Sequence, residues 1–256
     1  MIRSLYTAST GMFAQQVNMD NIANNISNVN TTGYKKSRIA FADLLYSKLP
    51  APRTGPNETT LQLGSGVRVT ATVRDFTDGG VLHTDQLLDV ALSGNGFLAV
   101  TVDGKTAYTR SGSLQVSGGK LVTTAGHPVL DTYGREINIG NGVSQVEIDE
   151  NGNVIGITGY SDAKTTLGQV GVARVPNQHA MRAIGGNLFV SDERLDIGAP
   201  GRDQRARLMP GFLEMANVQV VEEMVNLITA QRAYEVGSKA IQASDEMLAQ
   251  ANNLRR

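Results

Sequence analysis

The sequence LYTASTGMFAQQVNMDNIANNISNV, residues 5–29, repeats apolar side chains with a period of seven. One row holds Leu5, Met12, Met19 and Ile26, and a second row, three residues later, holds Ala8, Gln15, Ile22 and Val29. Two rows with this spacing are the a and d positions of a coiled-coil helix. The pattern predicts a helix over residues 2–29, roughly 42 Å long, with Gly33 as its stop signal.

The C-terminal segment repeats this pattern. Its large row holds Val220, Leu227, Tyr234, Ile241 and Leu248, and its companion row holds Ala230, Gly237, Ser244 and Ala251. Small side chains beside a large row allow a partner helix to approach closely. Asn217 is the expected N-cap of this helix. We therefore predict that the two terminal helices pack against each other, in parallel or antiparallel, and that the remaining faces of both need further neighbours.

The middle of the chain has the composition of β structure. Of 28 glycines, 24 lie between Gly64 and Gly211, and glycine destabilises a helix by about 1 kcal/mol relative to alanine. Hairpin turns are predicted at Asp103-Gly104, Gly118-Gly119 and Asn151-Gly152. Because no helical period separates these turns, the sequence predicts an α+β fold with an antiparallel, β-rich middle.

A proline-containing arm is expected between the first helix and the β-rich middle. It covers residues 46–66 and contains Tyr46, Pro50, Pro52, Pro56, Leu61, Gly64 and Gly66. Proline disfavours both helix and central strand, so we expect an extended arm or long loop. The predicted domains are residues 1–33 with 215–256 (helical), residues 34–75 (arm and connector) and residues 76–214 (β-rich).

Charge and composition argue against several functions. The formal net charge is -1 and the chain has no cysteine, so there is neither a basic face for nucleic acid nor a thiolate for a metal or nucleophile. The N-terminus lacks the apolar core of a secretory signal, and we expect neither a cleaved signal peptide nor membrane insertion. His83, His127 and His179 stand far apart in sequence. We expect no catalytic residue, no metal and no cofactor.

Two short motifs resemble ligand sites without fitting them. Gly94, Gly96 and Ala99 match a dinucleotide-binding pattern, but the next residues have the composition of a strand where that site needs a helix. Asp149, Asn151 and Asn153 match the start of a calcium loop that would then lack its glycine and its glutamate. We interpret both as turns between strands.

Both ends of the chain resemble one family. The stretches ANNISNVNTTGYKK (residues 23–36) and NVQVVEEMVNLITAQRAYEVGSKAI (residues 217–241) resemble the two signatures of the bacterial flagellar rod and hook family. SGNGFLAV (residues 93–100) and YTRSGSL (residues 108–114) are similar to motifs of its β domain. The signature residues are Ala23, Asn24, Asn25, Asn28, Thr32, Gly33, Asn217, Gln231, Arg232 and Tyr234.

Within that family, the similarity is to distal rod sequences. It is carried by MIRSLYTASTGM (residues 1–12), FADLLYS (residues 41–47) and LQLGSGV (residues 61–67). Tyr6 stands where members of this family commonly have a tryptophan, and Leu98 stands where they commonly have a phenylalanine. Both replacements keep the apolar character of the position.

The resemblance implies a structural role. The subunit would leave the cell through the flagellar type III export apparatus and polymerise with its own copies in the periplasm, between proximal rod and hook-side proteins. The resulting helical drive shaft would transmit torque to the hook inside the peptidoglycan-level and outer-membrane rings. Its helices would line the central channel, and the arm would make axial contacts.

Two alternatives remain open from the sequence. One is a proximal rod or hook-like axial subunit of the same family. The other is a β-rich carbohydrate-binding module or enzyme whose terminal helices serve dimerisation.

Overall fold

A computed structural model describes residues 2–49, 61–140, 143–158, 164–203 and 205–253. The chain forms two compact units. The first unit consists of Met1–Ser27, Ser37–Asp75 and Gln219–Arg256, and the second of Asn28–Lys36 and Phe76–Val218. Residues 28–36 and 215–218 thus belong to the β-rich unit, and residues 37–75 are grouped with the helices.

The first unit contains the two long helices, α1 (Ile2–Ser27) and α2 (Val220–Asn253). They pack antiparallel, because the Ser4 and Ser244 hydroxyls lie 3.4 Å apart near one end. Near the other end, Asn25 Nδ2 donates to Glu223 Oε2 at 3.4 Å. Glu222 and Glu223 occupy the first turn of α2, where a negative charge is stabilised by the helix dipole.

Two predicted helix-end features are wrong. Helix α1 ends at Ser27, so Val29 lies beyond it and packs against Tyr34 in the second unit. The cause is a turn in which the Thr31 N–H donates to the Asn28 carbonyl. Asn217 is not the N-cap of α2, because the helix begins three residues later, at Val220. The Asn217 Oδ1 accepts from the Lys36 N–H at 2.7 Å.

The remainder of the first unit is a β-hairpin. Its strands are β1 (Ser37–Asp43), β2 (Ser47–Leu49), β3 (Leu61–Leu63) and β4 (Val67–Arg74), with β1 paired to β4 and β2 to β3, both antiparallel. The expected long loop is therefore a two-stranded ribbon where it is described, since a ribbon has only edge strands and prolines disturb it less than a central strand. Pro50, Pro52 and Pro56 lie outside the described residues.

Fifteen short strands build the described part of the second unit. They are β5 (Val81–His83), β6 (Val90–Ser93), β7 (Phe97–Val102), β8 (Lys105–Thr109), β9 (Leu114–Ser117), β10 (Lys120–Thr123), β11 (Val143–Ile148), β12 (Asn153–Thr158), β13 (Lys164–Gln169), β14 (Val172–Arg174), β15 (Arg182–Gly185), β16 (Leu188–Val190), β17 (Asp196–Gly198), β18 (Arg207–Pro210) and β19 (Phe212–Glu214). A 3₁₀ turn spans Gln178–Ala180.

The strands of the second unit pair antiparallel throughout the described residues. The largest sheet has the order β15-β16-β8-β7-β14-β17, a second has the order β11-β12-β13, and three further pairs are β9-β10, β6-β18 and β5-β19. The antiparallel middle predicted from the sequence is confirmed, and so is the α+β fold with a helix at each end.

Turn chemistry explains the tight connections in this unit. At the β7–β8 turn, Asp103 and Gly104 have φ of 49° and 75°, the conformation that a two-residue hairpin with right-handed strand twist requires. Gly118 and Gly119 connect β9 and β10 in the same way, with φ of 58° and 72°. The predicted turns therefore lie where the glycine pairs indicated.

The second unit has a large apolar core. Val90, Leu98, Val100, Leu121 and Val172 belong to its main cluster, and each is fully buried. A second cluster is aromatic: Phe76, Phe97 and Phe189 pack edge to face with centroids 5.4 to 5.7 Å apart. Close-packed aliphatic and aromatic side chains of this kind supply most of the free energy that stabilises a domain.

Candidate functional site

The contact between α1 and α2 is made by small side chains of α2. Its buried positions are Glu223, Ala230 and Ser244, and Gly237 completes the seven-residue spacing. A Cβ at Gly237 would lie 2.7 Å from Met12 Cγ, so the absence of a side chain there permits the close approach. Of the predicted small row, Ala230, Gly237 and Ser244 lie at this contact, whereas Ala251 is exposed.

The large row of α2 is less buried than the small row. Leu227, Ile241 and Leu248 are half-buried, while Val220 and Tyr234 are exposed. On α1, Ile22 is buried, and Leu5, Met12, Met19 and Ile26 are half-buried. Most large side chains of both heptad rows thus lie at the margin of the pair, where a further helix could cover them.

Other large apolar side chains of the helices face solvent. On α1, Tyr6 and Phe13 are 59% and 63% exposed. On α2, an apolar stripe of Val221, Met224, Val225 and Ile228 has exposures between 48% and 77%. We call Tyr6, Phe13 and this stripe together the helix-pair surface. Exposed apolar side chains clustered on one element are typical of a surface that binds another protein.

Signature residues hold the first β-strand against α1. Asn25 Nδ2 donates to the Ser37 carbonyl at 2.8 Å, and its Oδ1 accepts from the Ser37 N–H at 3.0 Å. Asn21 Nδ2 donates to the same carbonyl at 2.7 Å. Asn25 is thus a structural residue, whereas its signature neighbours Ala23 and Asn24 are exposed.

The second unit contains a buried charge cluster that sequence reasoning missed. Lys35 Nζ donates to Glu214 Oε1 at 2.6 Å, and Arg110 Nη1 donates to Glu214 Oε2 at 3.3 Å. The Lys35 and Arg110 side chains are 0% exposed and Glu214 is 2% exposed. The half-exposed Asp78 accepts a third bond, from Arg110 Nη1 at 3.3 Å. Because single lysines, arginines and glutamates are common on surfaces, no local signal marks these residues as buried partners.

The electrostatics of the cluster follow from its burial. Burial lowers the pKa of the Lys35 ammonium below its ordinary value of 10.5, and the Glu214 carboxylate opposes that decrease. Lys35 Nζ also donates to the Thr77 carbonyl at 2.6 Å, and the Arg110 guanidinium lies 5.0 Å from the centroid of the Phe97 ring. The cluster is therefore a structural element that ties sequence-distant segments of the second unit together.

The backbone beside this charge cluster requires a glycine at position 33. Its φ is +67°, and a Cβ there would lie 2.5 Å from the Ser111 backbone nitrogen. Its N–H donates to the Glu214 carbonyl at 2.8 Å, and the neighbouring Thr32 hydroxyl lies 3.1 Å from that of Ser111. The signature segment around Gly33 is thus seated directly against β-rich structure.

The other predicted positions are dispersed. Asn28 lies in the turn after α1, with its Oδ1 3.3 Å from the Thr31 hydroxyl, and Gln231 and Arg232 are exposed on α2. In the arm, Gly66 has φ +112°, and a Cβ there would lie 2.3 Å from Thr10 Oγ1. Tyr46 is 58% exposed.

The near-motifs are turns, as interpreted from the sequence. Gly96 opens strand β7 rather than a helix. Asp149 Oδ1 accepts from the Asn153 N–H at 2.8 Å and so caps the β11–β12 hairpin. Among the described residues, no group of three or more histidine, aspartate or glutamate side chains could hold a metal ion. Within the same residues, no helix combines the length and the apolar composition needed to cross a bilayer.

Three family models match successive parts of the chain. One described as "Flagella basal body rod protein" matches residues 5–35. A second, "Flagellar hook protein FlgE/F/G D1 domain", matches residues 91–156. A third, "Flagellar basal body rod FlgEFG protein C-terminal", matches residues 209–254.

Curated proteins of similar sequence have related names over their whole length. The flagellar basal-body rod protein FlgG of Borreliella burgdorferi is 45% identical, with 100% of both chains covered. FlgG of Bacillus subtilis is 35% identical, again with 100% of both chains covered. The flagellar hook-basal body complex protein FlhP of the same bacterium is 34% identical over 100% of both chains.

Proposed function

The chain belongs to the flagellar basal-body rod family as a structural rod subunit, and we propose that its copies polymerise through the helix-pair surface into the helical shaft of the distal rod. The shaft would transmit torque to the hook. No catalytic step, metal or cofactor is part of this proposal.

One observation carries the proposal: small residues of α2 lie at the α1–α2 contact, while several large apolar side chains of both helices are exposed. Ala230, Gly237 and Ser244 line the α1–α2 contact, while Phe13 and Val221 are 63% and 77% exposed. Burying apolar area stabilises an interface by about 25 cal/mol per Å². Copies that cover these side chains would gain this energy, and contacts that do not close into a ring produce a helical filament.

We further infer that the helices form a coiled-coil-like inner tube. The sequence assigned residues 1–33 with 215–256 to this domain. In the proposal the tube-forming part is reduced to α1 and α2, because residues 28–36 and 215–218 belong to the second unit. The second unit then forms the outer domain, and the hairpin of β1 to β4 is the arm that contacts axial neighbours.

Location and partners follow from family membership. Rod proteins act in the flagellar basal body together with other basal-body and axial proteins. We propose export through the flagellar type III apparatus without a cleaved signal peptide, and a place in the periplasm between proximal rod and hook-side proteins. Peptidoglycan-level and outer-membrane rings would surround the shaft.

One relative supports an alternative position for this subunit along the flagellar axis. FlhP, named as a hook-basal body complex protein, covers the whole chain at 34% identity, so a different place along the same axis is the alternative. This protein, a proximal rod protein and a hook protein can each be labelled with a different fluorophore. The order in which the three labels appear during assembly distinguishes the two positions.

Electron cryo-microscopy of the concentrated protein tests the proposal. Wild-type protein should form tubes with the helices lining an inner channel, and Ile228→Asp should form none, because a carboxylate in the apolar stripe opposes burial. The matched control is Ile184→Asp on β15, where Ile184 is equally exposed at 48%. A closed dimer without tubes, or tubes formed by Ile228→Asp, would contradict the proposal.

A further inference from the structure

An exposed aromatic side chain, Tyr133, lies at the tip of a turn in the second unit. Tyr133 is 80% exposed, whereas Phe76, Phe97 and Phe189 of the same unit are buried. Large aromatic side chains that remain this exposed are costly to hydrate, and they are enriched where proteins bind one another.

The turn that presents Tyr133 is held rigidly by Asp131. One carboxylate oxygen accepts from the Tyr133 N–H at 2.7 Å and from the Arg135 N–H at 2.9 Å. The other accepts from the Arg135 guanidinium at 2.9 and 3.1 Å. The Asp131 carbonyl accepts from the Gly134 N–H at 3.0 Å. A turn whose backbone is fixed in this way loses little backbone entropy on binding, which favours a docking anchor.

Cationic groups accompany the ring. The Arg135 guanidinium carbon lies 5.2 Å from the centroid of the Tyr133 ring, and exposed Arg194 lines the same surface depression. Asp131 is bound by Arg135, and Asp196 is bound by Arg205. The anchor therefore combines an aromatic ring with guanidinium groups, and it fits an apolar recess with a carboxylate at its edge.

The second unit also contains a recess with that chemistry. A groove of about 780 Å³ runs between β9 and β11, with Leu114, Ile139 and Val146 buried beneath it. At its edge Leu87 and Val116 are 41% and 43% exposed.

The charged side chains among the described lining residues of this groove are carboxylates. Asp85 is exposed, with a carboxylate oxygen 3.4 Å from His83 Nε2. Asp89 is buried and accepts from the Thr84 hydroxyl at 2.7 Å. Where the structure describes the groove, its lining includes no lysine or arginine, so the charge there is opposite to that of Arg135 and Arg194 at the Tyr133 turn.

We propose that the Tyr133 turn of one copy docks into the Leu87–Val116 groove of a second copy. The ring covers the exposed apolar edge, and Arg135 lies next to Asp85. Turn and groove are different surfaces, so the contact is head-to-tail and each copy keeps one free turn and one free groove, which extends a chain of copies instead of closing a dimer. This inference rests on the proposed function and names a contact made by its outer domain.

Cysteine cross-linking tests the contact directly, because the natural chain has no cysteine. Full-length protein with Thr132→Cys, next to Tyr133, and Ser144→Cys, in the groove, keeps the Tyr133 ring and the apolar edge. It replaces the wild-type protein in flagellated cells, and basal bodies are isolated and oxidised. A ladder of disulfide-linked dimers, trimers and longer species is expected on a non-reducing gel. Either single-cysteine variant should yield no species longer than a dimer.

Substitutions without cysteine provide the second measurement. Tyr133→Ser removes the ring and leaves the Asp131 hydrogen bonds in place, and it should lower the number of complete rods per cell at least tenfold. Tyr133→Phe should restore rod number, and Ile184→Ser, at another exposed apolar side chain of the same unit, should leave it unchanged.

The outcomes separate this contact from the proposed function. Complete rods with no ladder from the double variant, or normal rod number with Tyr133→Ser, would overturn the contact and leave the structural rod role intact. If basal bodies isolated from wild-type cells do not contain this protein, the proposed distal rod role is wrong. The proposed contact between copies is then wrong as well.

Discussion

The two units bury opposite kinds of side chain. At the helix contact of the first unit, the buried positions of α2 are Glu223, Ala230 and Ser244, while Phe13 and Val221 face solvent. In the second unit the fully buried side chains include Phe97, Phe189, Leu98 and Ile148. Because stabilisation scales with the apolar area removed from water, the second unit supplies its own core. In the proposed shaft, the exposed apolar side chains of the helix pair would be buried by neighbouring copies.

Removing the buried carboxylate of the second unit should have the largest effect. Glu214→Ala leaves Lys35 and Arg110 as buried cations without their shared partner, and breaking a buried ion pair costs about 3–5 kcal/mol. Near-ultraviolet circular dichroism in urea reports this unit, because the buried tyrosines Tyr34 and Tyr108 both belong to it.

The control for Glu214→Ala is a surface ion pair of the same unit. Glu136→Ala removes the partner of Lys120, and both side chains are at least one-third exposed, so it should cost less than about 1 kcal/mol. Equal losses for the two variants would mean that the buried cluster contributes no more than a surface pair.

A matched pair of truncations sharpens the comparison between units. Leu98→Ala in the core of the second unit should lower the free energy of unfolding by about 3 kcal/mol, through lost burial and the cavity left behind. Ile228→Ala on the helix-pair surface should change it by less than about 0.5 kcal/mol. For assembly, measured as tube yield, we expect Ile228→Ala to have a larger effect than Leu98→Ala. A large loss of subunit stability from Ile228→Ala would contradict this comparison between the two units.

The sequence predicted what local patterns determine. The heptad rows predicted both helices, although the predicted end of α1 at Val29 lies two residues beyond the observed end at Ser27. Glycine pairs such as Gly118-Gly119 predicted the hairpin turns. The cluster of Lys35 and Glu214 was not predictable, since 179 residues separate its members and neither has an unusual local context. The exposed side chains of α2 were expected from its pattern, because one partner helix covers only part of a two-row helix.

Gly33 and Gly104 form the next test, within the second unit. Both have positive φ, +67° and +75°, but a Cβ at Gly104 would meet nothing within 4 Å, while one at Gly33 would meet the backbone of Ser111. Gly104→Ala should cost about 1 kcal/mol for the left-handed conformation alone. Gly33→Ala should cost about 2 kcal/mol or more, because backbone must also move. Equal urea midpoints would show that the Ser111 contact relaxes without cost.

The smallest expected effect concerns the turn that carries Tyr133. Burial acts to raise the pKa of Asp131, but hydrogen bonds from Arg135 and Tyr133 outweigh it and hold the pKa below the ordinary 3.8. A carboxyl group with a lowered folded-state pKa stabilises the fold above its unfolded-state pKa, and this contribution is lost as the pH falls through the folded-state value. Asp131→Asn should therefore lower the free energy of unfolding by about 1 kcal/mol at neutral pH, and by less as the pH falls below the ordinary aspartate value of 3.8. Asp103→Asn, at an exposed turn residue, is the control and should show no such convergence with wild type. A deficit of Asp131→Asn that stayed constant with pH would mean that the Asp131 charge does not hold the turn, and the Tyr133 anchor would then be less rigid than its geometry indicates.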